Sequence, residues 1–541
     1  MRRTIHPAWP TVAGALLWVL GVMSARAEAP RDLEQACTAA VELSLPDTRI
    51  ISAEPIRAQS PYVVPGATAS TGDPRAAGPL LVTEAFCRVV GVIDADIHFE
   101  VWLPLAHWNG RFEGLGLGAF LGALPYAQMV EALRNGYAVG GTDTGHQSAA
   151  TDASWAMTAH TLDTISVENW AHRGIHEMSV QAQAIVSAVY GRRADHSYFV
   201  GCSSGGSQAL SEAQRYPGDY DGVLAGAPAN DWTHLMAGQL WYGQATRLDP
   251  ASDLEAPIDK LLLIHRAALE ACDARDGVRD GVIEDPLSCR FDPGALACKA
   301  SERADCLTAP QLLALRRIYG AAHGADGRSI FPGLAPGSEL GWPLMSRLQV
   351  AFAQTFYRVF VFQDNGWNFS SLDFDHDVAM ADRTVGPLVN SIDPDLQVFR
   401  ARGSKLLQYH GWSDPLISPY SSIEYYESVL ARFGAMRRRE QALRDVQGFD
   451  RLFMVPGMTH CRGGEGTDHF DGLAALQRWV ERGEAPDRLE AARVVDGAAI
   501  RTRPLCPYPR VARYRGHGST DVAANFLCAS PPRGAARSRG L

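Results

Sequence analysis

Ser197-Tyr-Phe-Val-Gly-Cys-Ser203-Ser-Gly-Gly-Ser-Gln-Ala-Leu210 is the stretch on which the reading of the fold turns. Ser197–Val200 is a β-rich run, a glycine-rich turn follows, and Ser207–Tyr216 reads as a helix. Gly201-Cys-Ser203-Ser-Gly205 spells G-x-S-x-G in the strand–turn–helix setting of a nucleophile elbow. Glycines are needed because the turn is strained and side chains there would meet the neighbouring strands. The turn lifts the Ser203 hydroxyl to the top of a sheet. With 51 glycines in the chain, the spelling alone arises readily by chance, so the setting carries the weight.

Working outward, the same alternation recurs. His98–Pro104 and Tyr137–Gly141 read as strands. Ile175, Met178, Ala182, Ile185 and Val189 fall at helical spacing and stop at Gly191. Gly222–Gly226 is a short apolar strand. From about Asn230 to Asp395 the pattern turns irregular, aromatic-rich and cysteine-bearing. Strands resume at Lys405–His410 and Arg451–Val455, and Phe470–Arg482 reads as a helix. Alternating strands and helices predict an α/β fold with a mainly parallel sheet. The division is a catalytic domain over 28–230 and 396–530 interrupted by a lid over 231–395, which would cover the strand ends where such sheets bind ligands. The expected fold is a lidded α/β-hydrolase.

A serine hydroxyl is a poor nucleophile without a base and an orienting acid. In this fold the order is Ser, then Asp, then His. Asp414 follows the strand ending at His410, and His460 follows the strand ending at Val455, so both fall on strand-end loops in the right order. Among 16 histidines there are competitors. Asp143 and His146 precede the serine, the wrong order. His410 is read as standing behind the triad or facing substrate, with Ile417 as an aliphatic neighbour of the site. An oxyanion hole needs two backbone amides. Ser204 supplies one, and the glycine-rich loop from Trp108 to Phe120 supplies the other. Its G-x-G-x-G spelling lacks the helix and acidic partner of a nucleotide loop.

The 541 residues are 46% apolar and 20% charged, an ordinary globular composition. Arg2 and Arg3, the apolar segment Thr11–Met23 and Ala25-Arg26-Ala27 read as a signal peptide over 1–27, cleaved before Glu28. The apolar run is shorter than the roughly 20 residues of a spanning helix. Loss of three arginines with that segment takes the formal charge from −10 to about −13, which argues against a nucleic-acid partner. The expectation is a secreted or periplasmic protein with no membrane partner after cleavage. Pro531–Leu541 is a basic, disordered tail.

Ten cysteines behind a signal segment predict disulfides. Short loops close at least entropic cost, which points to Cys272–Cys289, Cys298–Cys306 and Cys506–Cys528. Cys37–Cys87 would staple the N-terminal region. Cys202 and Cys461 remain, one beside Ser203 and the other beside His460. If they bond, serine and histidine are neighbours of necessity. In the lid, carboxylates of Asp273, Asp276 and Asp280 with carbonyls of Val278 and Val282 offer oxygen ligands suited to one calcium ion, at a spacing unlike an EF-hand; a solvated acidic turn is the alternative.

Gly201–Gly206, Tyr409-His-Gly-Trp-Ser-Asp414, Pro456-Gly-Met-Thr-His-Cys461-Arg-Gly-Gly464 and Trp108-Asn-Gly-Arg-Phe112 resemble the tannase and feruloyl esterase family, from about Cys37 to Cys528. Arg501-Thr-Arg-Pro-Leu-Cys-Pro-Tyr508 looks especially like the bacterial branch that includes mono(2-hydroxyethyl) terephthalate hydrolase. The resemblance implies a Ser203–Asp414–His460 triad, a Cys202–Cys461 disulfide and a calcium-bearing lid with Asp273, Asp276, Val278, Asp280 and Val282 at the matching positions. It places the second oxyanion amide at Ala119, where relatives usually carry glycine. It also implies small esters of aromatic acids as substrates, with terephthalate-type monoesters as the alternative and a non-catalytic binding protein as the rival class. Trp342, Phe352, Phe356, Tyr357, Trp367 and Phe369 are candidates for an aromatic slot or for lid core. Arg347 or Arg358 is a candidate partner for a substrate carboxylate.

Overall fold

The structure is a computed structural model that describes residues 1, 32–58, 61–68, 78–247, 258–299, 301, 303–344, 348–434 and 438–531. The expected signal segment beyond Met1, Arg347, and the tail beyond Pro531 lie outside the described residues.

Nine strands form the central sheet: β1 (Thr48–Ile56), β2 (Phe86–Ile93), β3 (Ile97–Pro104), β4 (Arg111–Leu115), β5 (Ala138–Thr142), β6 (His196–Cys202), β7 (Gly222–Gly226), β8 (Lys405–Gly411) and β9 (Asp450–Val455). Their spatial order is β1-β2-β3-β5-β4-β6-β7-β8-β9. From β5 to β9 every pairing is parallel. β1, β2 and β3 form an antiparallel edge joined to β5. β3 and every parallel strand but β4 are legible in the sequence, where Arg111–Leu115 reads as part of the glycine-rich loop. β1 and β2 went unread, because Thr48–Ile56 mixes charge and proline into its alternation and offers no clean period of two.

The helices follow from apolar stripes. Ile175, Met178, Ala182, Ile185 and Val189 are all buried on α2 (Gly174–Tyr190), which ends at Gly191 with φ 73°. Only a residue free of Cβ strain takes that left-handed exit cheaply. The helix α3 (Ser204–Gln214) follows β6 directly and is almost wholly buried. On the opposite face α7 (Gly472–Arg482), capped by the Asp471 carboxylate on the Ala474 N–H, buries Ala475, Leu476 and Trp479. A fully buried leucine of this kind stabilises the fold by about 1.5–3 kcal/mol.

The insertion leaves after β7 and returns at β8. It begins with α4 (Trp232–Arg247) and α5 (Ile258–Cys272). Its apolar cluster, which includes Leu240, Tyr242, Leu315, Trp342 and Phe360, also takes in Phe120, Trp170 and Ile417 from outside it. The insertion thus shares a core with the loops above the sheet, and Leu33–Leu541 form one compact unit. α6 (Pro419–Gly434) follows β8.

All five expected disulfides are present: Cys37–Cys87, Cys202–Cys461, Cys272–Cys289, Cys298–Cys306 and Cys506–Cys528.

Candidate active site

Ser203 sits between β6 and α3 at φ 66°, ψ −123°. A side-chain-bearing residue there costs of order 1–3 kcal/mol and persists only when its surroundings hold it. The Ser203 N–H donates to the Gly226 carbonyl at 3.0 Å, and its own carbonyl accepts from the N–H groups of Ser207 at 3.1 Å and Ala229 at 3.0 Å. A Cβ on Gly201 would lie 2.1 Å from the Gly205 carbonyl oxygen, and one on Gly206 would lie 2.3 Å from that of Gly226. The motif's glycines are therefore steric requirements.

Asp414 is fully buried in the loop after β8. Its Oδ1 accepts from the N–H groups of Leu416 at 2.8 Å and Ile417 at 3.1 Å. Its Oδ2 lies 2.7 Å from Nδ1 of His460 and 3.2 Å from Nε2 of His410. Burial disfavours the charged carboxylate, but the His460 charge and the two histidine hydrogen bonds outweigh it and hold the carboxyl well below the usual range. For His460, burial disfavours the imidazolium, and the charge and hydrogen bond of Asp414 outweigh it, raising the imidazole above its ordinary value. With Nδ1 turned to the carboxylate, Nε2 is the nitrogen left for proton transfer.

The Cys202–Cys461 bond joins the elbow to the histidine loop, with Cα atoms 6.1 Å apart. Ser203 and His460 line one cavity of about 160 Å³, together with Ala119, Ser204 and Ile417. The rest of its wall is chiefly apolar: Trp232, Leu235, Met236, Leu348, Phe352 and Leu416, with Thr151 and Gln349 as polar members. Ser204 opens α3, so its N–H is one of the first-turn donors that a helix leaves without an internal partner. Ala119 has φ 51°, the left-handed conformation that suits the glycine expected of relatives.

Other sequence candidates are redistributed. His410 is not on the cavity wall. It is fully buried behind Asp414, with Nδ1 2.7 Å from the Ser422 hydroxyl, so of its two expected places it takes the one behind Asp414 and not the one facing substrate. Asp143 pairs with His98 and not with His146, whose Nε2 faces the Phe120 carbonyl at 3.1 Å. Of the six aromatics named from sequence, Phe352 lines the cavity; Trp342, Phe356, Tyr357 and Phe369 are buried in the core, and Trp367 stacks on Tyr357 at 5.6 Å between centroids. Arg358 donates to the Trp367 carbonyl at 2.6 Å. Trp232, Leu235 and Met236 on α4 and Leu348 far beyond it went unforeseen, because an apolar residue in the insertion carries no mark of whether it faces core or cavity.

In the acidic lid loop, Asp273 accepts from the Asp280 N–H at 3.2 Å and the Gly281 N–H at 3.0 Å, and Asp276 accepts from the Val278 N–H at 3.0 Å. Asp280 forms ion pairs with Arg503 and Arg501. Burial, then the charges of Asp280 and Asp273, push the Asp276 carboxyl up to about 6. Among the described residues no group of three or more His, Cys, Asp or Glu side chains is gathered so as to hold a metal ion.

A family model for tannase and feruloyl esterase matches residues 81–529. The chain belongs to the tannase and feruloyl esterase family. It is 39% identical to an uncharacterised esterase of Xanthomonas campestris pv. campestris, over 92% of each chain. It is 35% identical to the mono(2-hydroxyethyl) terephthalate hydrolase of Piscinibacter sakaiensis, over 81% of this chain and 82% of that one. The crystal structure of feruloyl esterase B from Aspergillus oryzae superposes with a TM-score of 0.81 at 29% identity, covering 92% of this chain and 100% of that one. The tannase and feruloyl esterase relationship makes the chain a carboxylic ester hydrolase with an α/β fold.

Proposed function

We propose that this family member is a secreted serine esterase of aromatic-acid esters working through Ser203, His460 and Asp414. The observation that carries the reading is the 2.7 Å contact of His460 Nδ1 with a buried Asp414, on the wall of the cavity that holds Ser203. His460 Nε2 takes the Ser203 proton as Oγ attacks the ester carbonyl. The tetrahedral oxyanion is held by the N–H groups of Ala119 and Ser204. Its collapse expels the alcohol, which receives the proton from His460. Water, activated by the same imidazole, then attacks the acyl-enzyme and releases the acid. Asp414 keeps the imidazole in the tautomer that can accept at Nε2.

The substrate class is supported by the cavity wall, where Phe352 and Trp232 flank an apolar space of about 160 Å³, and by relatives named as feruloyl esterases. The relationship to a terephthalate monoester hydrolase favours a second reading, hydrolysis of such monoesters. The leader-like segment and five disulfides support export to an oxidising compartment. Among the described residues no helix is long and apolar enough to cross a membrane.

Calcium is proposed as a structural ion of the lid loop. The donors fit a hard cation in kind, being all oxygen, and two of the three carboxylates already turn inward on the loop's own N–H groups. Asp280 would have to share itself with Arg503. Bound there, calcium would neutralise the crowded carboxylates and fix the loop, with no part in the ester chemistry.

A fluorophosphonate probe tests the nucleophile. It should label Ser203, and Ser203→Ala should lose all but trace turnover of a nitrophenyl ester. Labelling elsewhere, or retained turnover, rejects the assignment.

A further inference from the structure

We propose that Trp170 and Gln208 are positioning residues that brace the Ala119 amide in its oxyanion-binding pose. The proposal rests on the reading of Ala119 given above. Ala119 is held in a left-handed conformation that alanine does not favour, so the loop around it needs an external hold. That hold comes from both sides. Upstream, the Leu117 N–H donates to Gln208 Oε1 at 2.9 Å. At the residue itself, the Trp170 indole N–H donates to the Ala119 carbonyl at 3.1 Å. The two braces are joined, since Gln208 Nε2 donates to the Trp170 carbonyl at 2.9 Å.

Gln208 is buried on α3, one turn beyond Ser204. The loop that carries one oxyanion donor is therefore registered against the helix that carries the other. The backbones touch as well: a Cβ on Gly116 would fall 2.8 Å from the Gly205 Cα. Trp170 cannot swing away, because its ring packs against Phe120 at 5.4 Å and Trp232 at 4.9 Å between centroids. Downstream, the Phe120 carbonyl accepts from the Ser148 hydroxyl at 2.7 Å, which closes the loop's exit. Neither Trp170 nor Gln208 lines the substrate cavity. Both act on the reaction through Ala119, so they should affect the bound transition state and leave the bound substrate largely alone.

The test uses the full mature chain with Trp170→Phe, which keeps the aromatic packing and removes the N–H, and Gln208→Met, which keeps the length and removes both hydrogen bonds. Loss of a complete oxyanion donor costs about 10²–10³ in kcat, so a displaced donor should cost about tenfold or more. The expected result is that fall in kcat with KM changed less than about threefold. Inhibition by phenylboronic acid, which forms a tetrahedral adduct on the serine, should weaken in parallel with kcat/KM. Thermal melting separates positioning from folding. A fall in kcat that tracks a large loss of melting temperature, with boronate affinity unchanged, overturns the proposal. So does wild-type kcat in either variant. If Trp170→Phe fails to fold, Gln208→Met decides. Fluorophosphonate labelling of wild-type Ser203 distinguishes this failure from failure of the esterase reading itself.

Discussion

His410 Nε2 lies 3.2 Å from Oδ2 of Asp414, the same oxygen that faces Nδ1 of His460. Nε2 also faces the Ile417 carbonyl at 3.2 Å, so both its neighbours are acceptors and the nitrogen carries the proton. Asp414 is thus gripped by two imidazoles and two backbone N–H groups with no water access. Replacing His410 with leucine should lower kcat/KM about tenfold or more and move its acid limb to lower pH. The reason is that a loosely held Asp414 raises His460 less. Unchanged pH–rate profiles of kcat/KM would remove His410 from the mechanism.

The wild-type acid limb has a definite sign. The proposed reaction needs neutral His460, and Asp414 raises its pKa above the ordinary 6.5. Activity should therefore fall as pH drops through a value above 6.5. Asp414→Asn should lower kcat about 10⁴-fold, by removing the charge and the tautomer it selects. A limb in kcat/KM at or below the ordinary 6.5 would contradict the prediction.

Cys202 and Cys461 close a separation of 259 residues and tie the turn of Ser203 to the loop of His460. The double substitution Cys202→Ala/Cys461→Ala should destabilise the protein by about 2–5 kcal/mol. Activity should fall more than the folded fraction does, because the serine–histidine distance is then held only by packing. Urea unfolding monitored alongside kcat separates the two effects.

His265 on α5 bridges Glu339 Oε2 at 2.7 Å and Glu465 Oε2 at 3.0 Å, linking the insertion to the loop that follows His460. Burial works against its charge, but the bonds to the two glutamates prevail and raise it to about 9. A group raised in the folded state contributes stability that is complete below pH 6.5 and lost as pH climbs to about 9. The melting temperature should drop by a few degrees across that window, and His265→Gln should flatten the drop. A wild-type curve as flat as the variant's would discount the bridge.

For the lid loop, chelation of purified protein should lower the melting temperature, and calcium alone should restore it. Asp276→Asn should weaken that response without changing the Ser203 labelling rate. Metal analysis that finds no calcium, with a melting temperature indifferent to chelator, rejects the ion.

The sequence by itself determined the elbow, most of the parallel strands, the stripe on α2 and the three short-range cysteine pairs. Each of these depends on local chemistry: glycine where a Cβ would collide, a period of 3.6, short loop closures. Ser203, Asp414 and His460 were legible as candidates because all three fall on strand-end loops in the order Ser, Asp, His. The cavity was not legible. Trp232, Leu235, Met236 and Leu348 meet Ser203 only through the way the insertion folds back, and an apolar residue reads alike whether it faces core or substrate. His410 also looked equally suited to substrate or scaffold until the chain after β8 turned it behind Asp414. The brace on Ala119 lies furthest from the sequence. Gln208, Trp170 and Leu117 come from three separate segments, and only tertiary packing brings their donors and acceptors within 3 Å or so of one another.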